Sequence, residues 1–305
     1  MATFSDSWAL TRNSFRMIRE DPALLALPAI AGLALFGIIL VLTLPLVAAF
    51  LLNPSGFLSF TGTRGGQAVL VLLYLVGYFV LVFVGNFFTA ALIGAAMMKL
   101  DGGQPTVGDG IRFARQRLVR LLVWSLIAAT VGLLIRALSA RFRGLGGVIL
   151  GLVAGATWAI ATYFAIPVIV FEQRSPWQSL KRSASLYLHT FGRTFVSNII
   201  LALIVFGFVI LGAVLFIIGV ALAVANGAVL VGLGLVLAGL AVWIFGAVLA
   251  TALSGILRAS LYRYATTGKI SPELLPPGLR PVAPPPESPP SPPPYYAPPL
   301  PSGRA

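Results

Sequence analysis

The chain of 305 residues contains no cysteine, one histidine (His189) and eight acidic residues. Without cysteine there are no disulfide frameworks, thiolate metal sites or cysteine nucleophiles. A single imidazole leaves little room for histidine chemistry. Charged residues make up 10% of the chain, against about a quarter in a soluble domain. No Walker loop, HExxH helix or GxSxG elbow occurs in it. No cofactor or metal is expected from such a sequence.

What fills the space is apolar: 58% of residues are hydrophobic and the mean hydropathy is +0.97. Runs beyond the ~20 residues needed to cross a bilayer recur along the chain. Six spans are predicted, near residues 23–52, 67–98, 118–139, 146–171, 194–224 and 227–257. The first run opens a full-length span without a small-residue cleavage site, so no signal peptide is expected.

The net charge of +13 superficially suggests a nucleic-acid ligand, but the cations sit between the spans. If both termini are cytoplasmic, 17 of the 21 Lys and Arg residues fall inside. Arg64, Arg136, Arg141 and Arg143 fall outside, and the positive-inside rule favours this orientation. Arg136 reduces the third span to a short run, yet dropping that crossing would erase the charge bias. Its stem is expected to carry the guanidinium to the outer headgroups.

Each pair of spans follows a basic amphipathic stretch. Phe4, Trp8, Thr11, Phe15 and Ile18 share a face away from Arg12, Arg16 and Arg19. Val107, Ile111, Ala114 and Leu118 alternate with Arg112, Arg115 and Arg117. Trp177, Leu180, Ala184, Leu188 and Phe191 oppose Lys181, Arg182, Ser185 and His189. Such faces suit helices lying in the headgroup plane of a leaflet rich in anionic lipid. Equally, they suit plain span entries. Arg12, Arg16, Arg112, Arg115, Lys181 and Arg182 are the candidate headgroup contacts. The unit of interfacial helix plus hairpin thus occurs three times, as repeated architecture.

After the last span, Arg258, Tyr262, Arg263 and Tyr264 read as an interfacial belt, closed by Thr266-Thr267-Gly268. Residues 272–305 then hold 15 of the 22 prolines and cannot form a core. This Pro-rich segment reads as a disordered, polyproline-II-like cytoplasmic tail. Its PxxP spacings arise readily by chance in so proline-dense a stretch.

All eight carboxylates lie between spans or at their edges, whereas ion-coupled transporters commonly keep one at membrane depth. The deep polar residues are neutral: Asn86, Thr89, Thr130, Thr157, Thr162, Asn198 and Thr251. Of these, Asn86, Thr130 and Thr157 are the candidate positions for a solute pathway, against helix-to-helix hydrogen bonding. Small residues repeat every four positions at Gly147, Gly151, Gly155 and Ala159, and again at Ala247, Thr251, Gly255 and Ala259. Both faces predict close helix packing. The loop from Leu100 to Gly110 has turn residues and Thr106 as a cap; its two aspartates lack EF-hand spacing.

Four stretches carry a resemblance: SWALTRNSFRMIREDPALLALP (7–28), LDGGQPTVGDGIRFARQRL (100–118), SLKRSASLYLHTFG (179–192) and ALSGILRASLYRYATTG (252–268). Together they resemble a family of prokaryotic six-helix membrane proteins whose function is not known. SLKRSASL is also similar, more loosely, to the membrane domain fused to some glycerophosphodiester phosphodiesterases. The resemblance implies a fold and no activity.

The expected architecture is all-α: a polytopic membrane helix bundle with six transmembrane helices and three cytoplasmic amphipathic interfacial helices. Eighteen arginines against three lysines point to a GC-rich prokaryote and its plasma membrane. The expected role is that of a non-enzymatic membrane-organising or accessory protein, whose partners are the bilayer's anionic headgroups and a second copy or another membrane protein. The alternative is a transporter or channel for a small or lipid-like solute. An intramembrane enzyme ranks third, since no nucleophile–base constellation is visible.

Overall fold

The computed structural model describes residues 18, 21–142, 144–172, 174–225 and 228–267. Of the first amphipathic stretch only Ile18 is described, and it is buried in the core; Arg12, Arg16 and the Pro-rich tail lie outside the described residues. Every regular element described is helical. Six helices are long and apolar enough to cross a membrane. The chain is a multi-pass, all-α membrane protein.

Helix α1 (Ala23–Leu52) and helix α3 (Arg64–Leu100) form the first hairpin. Between them lies α2 (Pro54–Gly62), a short helix absent from the sequence-based expectation. It starts where Asn53 accepts a hydrogen bond from the Gly56 N–H at 3.0 Å and Pro54 supplies the fixed φ of a first helical residue. Helix α4 (Val107–Arg115) then precedes the second hairpin, α5 (Leu118–Arg141) and α6 (Leu145–Thr162). The fourth span continues past α6 through a broken segment to Glu172. Helix α7 (Pro176–His189) precedes the third hairpin, α8 (Phe191–Ala225) and α9 (Val229–Thr267).

The last helix runs ten residues beyond the predicted span. Tyr262 and Tyr264 are therefore buried in a continuous helix, not strung along an interfacial belt. Thr266 and Thr267 close it, each hydroxyl donating back to the Arg263 carbonyl.

The hydrophobic core sits at one end of the bundle. Leu24 and Leu27 of α1 meet Ala90–Met97 of α3, Leu121 and Trp124 of α5, and Leu249–Ala265 of α9 there. Those are the start of odd-numbered crossings and the finish of even ones, as six antiparallel spans require. Small residues let the backbones close up: a Cβ on Gly110 of α4 would stand 2.9 Å from the Ala91 carbonyl oxygen. Gly94 makes room for the Phe113 ring, and Gly255 for Leu92. Away from this end the spans show Leu, Val and Phe side chains outward, such as Leu72, Leu152 and Leu203. Lipid is their natural solvent.

Glycines also build the third hairpin, at a spacing the sequence analysis did not single out. Gly212 lies opposite Gly239 and Gly219 opposite Gly232, with hypothetical Cβ-to-carbonyl distances of 2.5–3.0 Å. Seven-residue steps at 212 and 219, and at 232, 239 and 246, keep these glycines on one seam. The expected four-residue repeats are only partly used. Gly147 packs on the turn after α5, but Gly155 has nothing within 4 Å, and Ala247 and Thr251 face outward.

Candidate functional site

The core end also gathers the charges. Asp21, ahead of α1, pairs with Lys99 at 2.7 Å. Asp101, after α3, pairs with Arg263 of α9 at 2.6 Å, and Arg263 donates to the Leu100 carbonyl at 2.8 Å. These two ties fasten both ends of the first hairpin's charged side.

The third tie is built on a break in the fourth span. Pro167 has no N–H, and the chain passes from α6 through Tyr163 and Phe164 into a π-helical turn, Val168–Glu172. The Phe164 N–H released by the break donates to the Ser183 hydroxyl of α7 at 2.9 Å. The wider turn also presents the Val170 carbonyl sideways, where Arg117 donates from Nε at 2.7 Å. Arg117 additionally covers the Phe113 ring at 3.9 Å.

Glu172 closes the π turn with a side chain 4% exposed. Its carboxylate takes Arg174 at 2.8 Å and Arg182 at 3.4 Å, and accepts from the Tyr262 hydroxyl at 3.2 Å. Arg182 is as buried as its partner, and its Nη2 has no hydrogen-bond partner among the described residues. Among the described residues, these two guanidiniums share this one carboxylate. A ladder of rings encloses it: Phe113, Phe171, Tyr262, Phe164, Tyr163 and Tyr187, with successive centroids 4.8–6.4 Å apart. Arg258 ends the ladder over Tyr163, at 5.0 Å.

This overturns the assignment of Arg182 as a headgroup contact. Helix α7 turns Ser179, Arg182, Ser183, Leu186 and Tyr187 inward and leaves Trp177 and Leu188 outward. The physical reason is that a buried carboxylate and a freed backbone N–H need polar partners more than α7 needs to bury its tryptophan. Lys181 remains on the outer face, 5.7 Å from the Trp177 ring. Arg112 and Arg115 of α4 are likewise exposed. Arg117 is not on that face, because it turns in to Val170. Leu118 leaves α4 altogether and starts α5.

Helices α4 and α7 both carry capping boxes. Ser175 and Gln178 cap α7, with Pro176 in its first turn. Thr106 and Asp109 cap α4. The Thr106 hydroxyl and backbone N–H donate to Asp109 at 2.6 and 3.0 Å, and together hold its carboxyl below the ordinary carboxylate value. Asp101 and Asp109 thus have separate partners, and among the described residues no three His, Asp or Glu side chains gather.

The candidate pathway residues do not converge. Asn86 of α3 donates to the Ser125 hydroxyl of α5 at 3.0 Å, a helix-to-helix bond. Thr130 and Thr157 are exposed and return their hydroxyls to Leu126 and Val153 of their own helices. Thr162 and Thr251 do the same, while Asn198 accepts from the Tyr163 hydroxyl at 3.4 Å. Arg136, at the opposite end, reaches the Tyr74 hydroxyl and covers Tyr78 at 5.1 Å.

Residues 65–271, more than half of the chain, match the model of a family of unknown function, DUF6159. The chain belongs to that family. The match runs from α3 through α9 and so contains the π turn, both capped helices and the buried Glu172 cluster. Among curated proteins and solved structures nothing matches the chain.

Proposed function

We propose that this member of the family is a non-enzymatic membrane-organising or accessory protein, whose basic end rests on anionic headgroups of a prokaryotic plasma membrane. Both termini lie on the cytoplasmic side in this reading, as the distribution of Lys and Arg favours. The observation that carries it is the outward set Arg112, Arg115 and Lys181 on α4 and α7, two helices docked by their other faces to the core. Exposed Trp177 beside Lys181 suits the same interface, with an aromatic ring at headgroup level. The deep polar side chains, paired within or between helices, favour this reading over a transporter or channel. Likeness of the α7 segment to a domain fused to phosphodiesterases transfers no activity.

The test uses the whole protein in mixed phosphatidylcholine–phosphatidylglycerol vesicles carrying one brominated lipid at a time. The quenching that disappears in Trp177→Phe reports the lipids around α7. Brominated phosphatidylglycerol is expected to quench it more strongly than brominated phosphatidylcholine. Neutralising Arg112, Arg115 and Lys181 together should abolish the difference. Equal quenching by both lipids in the unaltered protein would sink the proposal.

A further inference from the structure

At the end of the bundle opposite the Glu172 cluster, Arg136 of α5 is held by two tyrosines of α3. Its Nη1 donates to the Tyr74 hydroxyl at 3.3 Å, and its guanidinium covers the Tyr78 ring at 5.1 Å. The two rings stack on each other with centroids 6.2 Å apart. Gly132, one turn before Arg136, leaves the space for this arrangement: a Cβ there would stand 2.6 Å from the Tyr78 hydroxyl. We propose that Arg136 and Tyr74 together bind the phosphate of one anionic phospholipid in the leaflet at that end. The site goes beyond the headgroup contacts proposed above, which lie on α4 and α7.

Three observations support that occupant. The first is charge. The chain has no Asp or Glu from residue 22 to 100, 110 to 171 or 173 to 272, so the connections at this end carry no carboxylate. Arg64 and Arg141 lie at the same end, so a zwitterionic lipid would leave its charge uncancelled. The second is the set of groups that remain free. Tyr74 accepts from Arg136, and neither its own O–H proton nor the other guanidinium N–H groups have an acceptor among the described residues. One phosphate accepts from both side chains at once, and a guanidinium suits it geometrically. The third is the level of the site. Arg136 lies five residues, about 8 Å, inside the end of α5, a helix long enough to cross a bilayer. Helix α5, at ~36 Å, exceeds a ~30 Å hydrocarbon layer by a few ångströms at each end. Arg136 and Tyr74 are both exposed there, a short reach below the headgroups. A free anion would have to leave water to meet them, whereas a lipid brings its phosphate to that level.

Native mass spectrometry of the full chain in detergent tests the site. The background carries Arg112→Gln, Arg115→Gln and Lys181→Gln, which removes the contacts proposed for the other end. The probes are 1-palmitoyl-2-oleoyl phosphatidylglycerol and the matching phosphatidylcholine. One phosphatidylglycerol per chain is expected to bind in preference to phosphatidylcholine. Arg136→Gln should weaken it roughly tenfold, as loss of a charge-assisted contact does. Tyr74→Phe keeps the ring and removes the hydroxyl, so it should weaken binding by less, about threefold. Arg64→Gln and Arg141→Gln should leave the adduct in place. Unaltered binding in either Arg136→Gln or Tyr74→Phe would overturn the site, and if the first fails to fold the second alone decides. An equal loss in Arg64→Gln or Arg141→Gln would show a diffuse field in place of a site, and no preference over phosphatidylcholine would also overturn it. Displacement of the lipid by inorganic phosphate at matched concentration would assign the donors to a free anion, against the proposal. The reading of the other end fails separately, through the Trp177 quenching.

Discussion

Replacing Glu172 by Gln keeps the shape of the side chain and removes the charge that two arginines share. Its side chain and that of Arg182 are each 4% exposed, so neither can turn to water without unpacking the ring ladder. Removing one member of a buried ion pair typically costs ~3–5 kcal/mol, because the surviving charge stays buried. The lower end applies here. Contacts to Arg182 and Tyr262 are long, at 3.4 and 3.2 Å, and Arg174 is 27% exposed and can be hydrated. The expected loss is therefore ~3 kcal/mol, more than a hundredfold in the folded-to-unfolded ratio. Reversible denaturation by sodium dodecyl sulfate, followed by circular dichroism in mixed micelles, measures it. Glu172→Gln combined with Arg182→Met should return most of the loss, since a neutral pair leaves no orphaned charge. A Glu172→Gln protein within ~1 kcal/mol of the unaltered chain would refute the reasoning, as would a double variant less stable than the single one.

In the same assay Gly232→Ala should cost ~1–3 kcal/mol, because its Cβ would meet the Gly219 carbonyl oxygen at 2.5 Å and Ala223 at 2.7 Å. Gly155→Ala, with nothing within 4 Å, should be neutral or gain up to ~1 kcal/mol from helix propensity. Ser125→Ala removes the hydroxyl that accepts from Asn86 and should cost little, on the order of 0.6 kcal/mol. Asp109 contributes a pH dependence of definite sign: its carboxyl is lowered in the folded chain, so its stabilisation is complete above about pH 4. That contribution is lost as pH falls through the folded value. Amide exchange in the first turn of α4 should accelerate in that window, and Asp109→Asn should remove the change.

The spans were legible because a run of apolar residues long enough for a bilayer has few other uses, and their number and order follow from the sequence directly. Their ends were less so. The π turn was hidden inside an uninterrupted apolar run, AIPVIVF, in which Pro167 was the one visible sign of a break. Asn53-Pro54 likewise marks the start of α2, in the stretch left between the first two predicted spans. For α7, periodicity weighed Trp177, Leu180 and Leu188 against Arg182, and chose the wrong face. That choice depended on Glu172 and the Phe164 N–H, contacts that exist only once the broken span folds back on α7. Sequence spacing could have shown the glycine seam, since 232, 239 and 246 repeat every seven residues, but four-residue repeats drew the reading elsewhere. Asn86 stood out as a candidate for a solute pathway because an amide at mid-depth is conspicuous, whereas its hydrogen-bond partner Ser125, on a different helix, carries no signal in the sequence.

The central claim is that the interior at Asn86 is closed by packing and hydrogen bonding, as the role proposed at the membrane's charged face requires. With no native cysteine, Asn86→Cys and an exposed-loop control, Gly103→Cys, can be compared directly in inside-out membrane vesicles, where the loop at 103 faces the reagent. A membrane-impermeant thiol reagent should label position 103 quickly and leave position 86 unreacted. Rapid labelling at 86 would reveal water at the α3–α5 contact and contradict the account.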